Sequence, residues 1–143
     1  MRKEISAGGV VFRKQDGRLE IQLIEDRFGK RTLAKGKMEP GETVEQTALR
    51  EIVEETGVTG RIVEPLQTIS YQYEHAELGV VQKEVHYYLV EAEEGQLRAQ
   101  VEEISGVAWH PPADAWRLQR EAGYDNNDEV LRLALERLGA DIS

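Results

Sequence analysis

Glu51, Glu54 and Glu55 are the residues in this chain whose type and spacing could do chemistry. On a helix they fall at i, i+3 and i+4, so at 100° per residue they share an arc of about 100° on one face. Carboxylates stacked in this way repel, and each like-charge pair costs a few tenths of a kcal/mol. They also lie at the C-terminal end of the helix, where the backbone dipole disfavours anions. A hard divalent cation resolves both penalties, since Mg²⁺ takes carboxylate oxygens and keeps waters in its other positions.

The element that must carry them is a helix from about Thr43 to Thr56. Thr43 with Gln46 makes a capping box at its start, and Gly57 stops it. Ala48, Leu49, Ile52 and Val53 lie on the neighbouring arc, which is expected to pack on a sheet. Around this helix Gly36, five residues, Glu42, seven residues, then Arg50-Glu51-Ile52-x-Glu54-Glu55-x-Gly57-Val58 make one continuous pattern.

Strands are expected on both sides of it. Lys3–Phe12 is a strand in which Gly8-Gly9 lets another backbone or a ligand approach. A turn at Gln15-Asp16-Gly17-Arg18 leads to the returning strand Leu19–Ile24. Gly60–Glu74 and Val80–Ala92 make a long antiparallel pair around Leu78-Gly79. Val107–Trp109 is a short strand, Pro112–Arg120 a helix, and a last helix starts at Asn126 or Asn127 with Asn126 and Glu129 as its capping pair. Asp125, Asn127 and Glu129 lack the glycine and the final Glu of a calcium loop and are read as cap residues. Gly29–Lys37 has the wrong spacing for a phosphate loop.

Composition narrows the classes. At 143 residues the chain suits one domain, 1–143, with a real core. It has no cysteine, which excludes disulfides and thiolate chemistry. No run approaches the 18 apolar residues of a membrane span, and MRKEISAGGVVF lacks a leader pattern, so a cytoplasmic protein without a membrane partner is expected. The net charge of −9 argues against long nucleic acid as a partner.

The Gly36–Val58 pattern resembles the signature of the Nudix hydrolases at every fixed position. The resemblance implies an α/β fold, a mixed β-sheet in an α/β/α sandwich with the signature as a loop–helix–loop. It implies hydrolysis of a pyrophosphate bond in a small-molecule nucleotide, with Mg²⁺ as cofactor and Mn²⁺ as the alternative ion, by a monomer or homodimer. By the same resemblance Glu54 and Glu55 are metal ligands, joined by the backbone carbonyl of Lys35, and Glu51 is a ligand or the general base. Arg50 neutralises and orients the carboxylates, and Glu42 braces the loop. Some family members take the base from a later loop, where Glu103, ahead of Glu102, is the candidate base or ligand.

Thr32–Glu42 is similar to the entrance of the diadenosine polyphosphate hydrolases, with Ala34 in place of their proline. Tyr73 falls where that group has a tyrosine that can stack on a base. Lys35, Lys37 and Arg27 are the candidate phosphate-binding residues, with Lys83 behind them, and His86 is similar to a cleft-lining position of the group. The expected substrate is therefore a dinucleoside polyphosphate such as diadenosine tetra- or hexaphosphate, cleaved to ATP or a shorter nucleotide. The alternatives are a MutT-like activity on ordinary or oxidised nucleoside triphosphates and removal of pyrophosphate from RNA 5′ ends.

Overall fold

Asp16 and Gly17 reverse the chain with φ of 54° and 79°, the left-handed pair that a tight two-residue hairpin requires. The hairpin joins β1 (Arg2–Gln15) to β2 (Arg18–Asp26), with Gln15 opposite Arg18 and Phe12 opposite Ile21. The computed structural model describes residues 2–94 and 104–140, with the side chain of Glu94 left out. After β2 come β3 (Arg31–Thr32), β4 (Ala34–Lys37), α1 (Val44–Thr56), β5 (Thr59–His75), β6 (Gly79–Glu94), β7 (Ile104–His110), α2 (Pro112–Ala122) and α3 (Asp128–Arg137).

The sheet runs β3-β2-β1-β6-β5, with β4 pairing to β1 and β7 to β2. Among the described strands only β1 and β6 pair in parallel, from Arg2 opposite Val81 to Phe12 opposite Glu91, so the sheet is mixed as expected. Side chains alternate along each strand and so supply two cores. Val10, Phe12, Ile21, Leu23, Tyr87 and Leu89 pack under Ala115 of α2 and Val130, Leu131, Ala134 and Leu135 of α3. Val11, Ile24, Ala34 and Val90 pack with Ile52 of α1 and Val58 on the opposite face. That is the α/β/α sandwich, with α1 alone on one face.

Glycine places β4. A Cβ on Gly8 would lie 1.9 Å from the Ala34 carbonyl oxygen and 2.6 Å from the Lys35 Cβ. Only glycine lets β4 lie on β1 there, with Gly8 opposite Lys35, and this brings Lys35–Lys37 under the end of α1. Long β5 bends through register shifts between Ile62 and Glu64 and between Pro65 and Gln67. Pro65 is tolerated because β5 is an edge strand.

Two local expectations need correction. Val53 is 38% exposed, so Ala48 and Ile52, with buried Thr47 and Thr56 and part of Leu49, carry α1 onto the sheet. The last helix does not start from an Asn126–Glu129 capping pair. Residues Asp125–Asn127 form a 3₁₀ turn, Asn127 is the cap residue, and it makes no side-chain cap bond. Its amide is drawn inward instead, donating to the Thr32 hydroxyl at 3.1 Å and accepting from the Tyr87 hydroxyl at 3.2 Å. Two buried hydroxyl partners outcompete a solvent-facing cap.

Candidate active site

The capping box of α1 forms with both bonds, Gln46 N–H to the Thr43 hydroxyl at 3.1 Å and Thr43 N–H to the Gln46 side chain at 2.9 Å. Gly57 ends the helix at φ 80°. Between these ends Arg50 is the hub. Its Nε and Nη2 reach the two oxygens of Glu42 at 2.6 and 3.0 Å, a bidentate pair. Nη1 reaches Glu51 at 2.8 Å and Glu54 at 3.1 Å, and Nη2 also donates to the Lys37 carbonyl at 2.9 Å. Glu42 in turn accepts from the Glu39 N–H at 2.8 Å and the Thr47 hydroxyl at 2.9 Å, which fixes the turn before the helix. Hydrogen bonding to Arg50 first, and to the Glu39 backbone next, holds the Glu42 carboxyl well below the usual range.

Gly36 is needed for space, not for an unusual φ. A Cβ there would sit 2.1 Å from the Glu51 Cδ, so the bare backbone of β4 is the surface on which the Glu51 carboxylate rests. Burial raises the Glu51 pKa, with Arg50 pulling in the opposite direction. Glu55 lies deeper. Burial, then the charge of Glu51, push its carboxyl up to about 8, although Lys35 opposes the shift. The Lys35 ammonium is itself lowered by burial first and by Lys83 next.

The other predicted residues fall in separate places. Lys37 pairs with Glu4 at 2.7 Å, Tyr73 donates to the same carboxylate at 3.1 Å, and Lys83 lies 3.5 Å from it. Glu4, Lys37 and Tyr73 line a second hollow, of about 350 Å³, near the turn between β5 and β6. His86 sits between Thr68 and Glu84, 3.1 Å from each, and joins neither cluster. Arg27 lies over the ring of Phe28 at 4.9 Å, on the turn after β2. Glu103 and Glu102 lie outside the described residues.

Sequence reasoning missed the wall opposite the helix. A cavity of about 350 Å³ opens beside Glu55 and Lys35 and runs to Asp26, Thr32, Tyr124 and Asn126. The Tyr124–Asn127 stretch looks like a helix start in sequence, and only tertiary pairing turns it toward the carboxylates.

The NUDIX domain family model matches residues 2–134. The chain belongs to the Nudix family. It is 40% identical over 115 residues to the "Putative mutator protein MutT4" of Mycobacterium tuberculosis, covering 76% of this chain and 46% of that protein. The chain thus spans about half the length of the curated relative it matches. Among solved structures it is similar to the NUDIX domain of Shewanella oneidensis NrtR complexed with ADP ribose, with TM-score 0.75, 25% identity and 96% and 90% of the two chains covered. It is also similar to the C. elegans Ap4A hydrolase in a binary complex, with TM-score 0.72, 26% identity and 95% and 98% coverage. Among the described residues no helix is long and apolar enough to cross a membrane.

Nudix identity implies a Mg²⁺-dependent mechanism, and the donor set suits that ion. Three carboxylates on one helical face are hard oxygen ligands. A carboxyl raised to about 8, as at Glu55, favours its protonated form at neutral pH, and a cation close by would favour the ionised one. Among the described residues no three acidic or histidine side chains converge at ligand distance. The Arg50 guanidinium, bonded to both Glu51 and Glu54, holds those two carboxylates instead.

Proposed function

We propose that this domain hydrolyses a phosphoanhydride bond of a nucleoside triphosphate, ordinary or oxidised, releasing the monophosphate and pyrophosphate. The observation that carries this reading is the cavity that joins Glu55 and Lys35 at one end to Tyr124 and Asn126 at the other. At about 350 Å³ it is near the small end of ligand sites and suits one nucleoside, not two. The likeness to the mutator protein supports the same choice.

Glu54, Glu55, Glu51 and the Lys35 carbonyl would hold the Mg²⁺ or Mn²⁺. When bound, that ion offsets phosphate charge and lowers the pKa of water. The chain's own groups do the rest. Glu51, raised in pKa and fixed by Arg50, is the candidate to take the proton of the attacking water, with Glu103 the other candidate base. The Lys35 ammonium faces the same carboxylates and balances phosphate charge as the substrate enters. The amide of Asn126 and the phenol of Tyr124 offer hydrogen bonds and a ring to the base.

A second reading, hydrolysis of dinucleoside polyphosphates, is favoured by the Lys37, Glu4 and Tyr73 cluster, which could hold a second nucleoside. The likeness to the Ap4A hydrolase supports it. The test is a product profile by ion-exchange chromatography. Nucleoside triphosphates, 8-oxo-dGTP, diadenosine tetra- and hexaphosphate and ADP-ribose are supplied at equal concentration, with Mg²⁺ or chelator. The expected result is metal-dependent monophosphate release from a triphosphate, exceeding dinucleotide turnover by about tenfold. A reversed ratio sinks the triphosphate reading and installs the second. Glu54→Gln is expected to abolish turnover with the fold intact.

A further inference from the structure

Asp26 ends β2 at the mouth of the cavity beside Glu55, and it is bonded on every polar atom. Its N–H donates to the Lys30 carbonyl at 2.9 Å, and its own carbonyl accepts from the Gly29 N–H at 3.0 Å and the Ser105 hydroxyl at 3.2 Å. One carboxylate oxygen accepts the backbone N–H groups of Phe28 and Lys30 at 2.9 and 3.0 Å. The other accepts the Tyr124 hydroxyl. One residue therefore ties together the turn after β2, the start of β7 and the loop between α2 and α3.

Those three segments form the mouth. The turn carries Arg27 stacked on Phe28, whose ring is 72% exposed, the most open large apolar side chain among the described residues. The Lys30 ammonium lies 6.0 Å from the centre of the Tyr124 ring. Of these groups Tyr124 lines the cavity whose floor is Glu55 and Lys35, and Lys30 stands beside its ring, whereas Arg27 and Phe28 lie outside the lining. Rings and cations at a rim suit the flat face of a nucleobase. A rim built from three separate segments grips a base only if the segments are held in one spacing.

We propose that Asp26 is a positioning residue that sets the spacing of the cavity mouth, and through Tyr124, which lines the cavity with it, decides which nucleobases the site accepts. This rests on the nucleotide reading of the cavity and deepens it. Both bonded states of the Asp26 carboxylate matter. Its turn-side oxygen shapes the loop that presents Phe28, and its other oxygen fixes the phenol across the mouth. Loss of the second link removes the carboxylate–phenol tie across the mouth, while the Arg31–Gly123 bridge and the Gln119 amide on the Tyr124 carbonyl still hold the α2–α3 loop. Asn127, held by Thr32 and Tyr87, anchors only the far end of that loop.

The test separates binding from turnover. Tyr124→Phe removes only the phenol link, and Asp26→Asn removes the charge while keeping an acceptor for the turn. Affinity for non-hydrolysable α,β-methylene analogues of a purine and a pyrimidine triphosphate is measured by calorimetry for the intact chain, each variant and the double variant. Thermal unfolding is recorded alongside. The purine-to-pyrimidine affinity ratio is expected to change by about fivefold or more in each single variant, and the double variant to be no worse than the worse single one. Unchanged ratios in variants that merely melt lower would overturn the proposal, as would additive losses in the double variant. An intact chain that binds neither analogue overturns it as well. An intact chain that binds the analogues but turns over no nucleotide sinks the hydrolase reading and leaves the positioning role standing or falling on the affinity ratios.

Discussion

Arg50 and Asp26 are both single charged residues that collect several partners, Arg50 on the acidic helix α1 and Asp26 in the lining of the cavity beside Glu55. They differ in reach. Arg50 draws in Glu42, Glu51, Glu54 and the Lys37 carbonyl, all within 13 positions of itself. Asp26 holds its own turn but also Ser105 and Tyr124, 79 and 98 positions away. The first is a product of one helix and the loop before it. The second exists only once β7 and the α2–α3 loop have docked. The difference teaches that the chemistry of this site is locally built, whereas its shape is assembled from the whole fold.

If the Arg50 side is the chemical side, the largest effect must come from there. Glu51→Gln keeps the shape and an acceptor for Arg50 but removes the candidate base. Steady-state assays are expected to show kcat reduced by on the order of 10²–10⁴. A loss below tenfold would move the base to another residue, with Glu103 the next to replace.

Gly36→Ala comes second and isolates the same carboxylate. The added methyl would overlap the Glu51 Cδ, 2.1 Å away, and the end of a flexible side chain is what must give. Activity should therefore drop by roughly 10–100-fold, as when a supporting partner is lost, while the melting temperature hardly moves. A large drop in melting temperature would mean that backbone, and not Glu51, had shifted.

The Asp26 side should answer in stability and shape. Asn127→Ala strands the Thr32 and Tyr87 hydroxyls in a region where Asn127 is only 2% exposed. Unsatisfied buried polar groups cost about 1–3 kcal/mol, which denaturant titration would register. Equal loss of kcat with unchanged stability would blur the division between the two sides.

These contrasts follow what could be read from residues alone. The capping box, the stop at Gly57 and the Asp16–Gly17 hairpin all obey rules that act within a few positions, and each formed as expected. Gly8 was legible as a place of close approach, though only the structure shows that β4 is what approaches. Asn126 misled, because its spacing to Glu129 reads as a capping pair, whereas Asp125–Asn127 form a 3₁₀ turn and Asn127, the cap residue, gives its amide to hydroxyls of β3 and β6. Nothing near Asp26 or Tyr124 in sequence announces their pairing. Likewise, the grouping of Lys37, Lys83 and Tyr73 around Glu4 depends on the parallel β1–β6 register, which no local pattern encodes.

The smallest effect tests whether the two ends of α1 are independent. Thr43→Ala removes one bond of the capping box and should cost about 1 kcal/mol of stability by denaturant titration. Glu42 sits beside the cap, yet its carboxylate stays bound to Arg50, Thr47 and the Glu39 N–H without help from the Thr43 hydroxyl. Glu51 and Glu54 toward the other end are fixed by Arg50, which itself donates to the Lys37 carbonyl of β4, and not by the first turn. Turnover should thus be unchanged while the helix start frays. If turnover falls with stability, the cap and the carboxylates form one cooperative unit, and the locally built side of the site includes the first turn of α1.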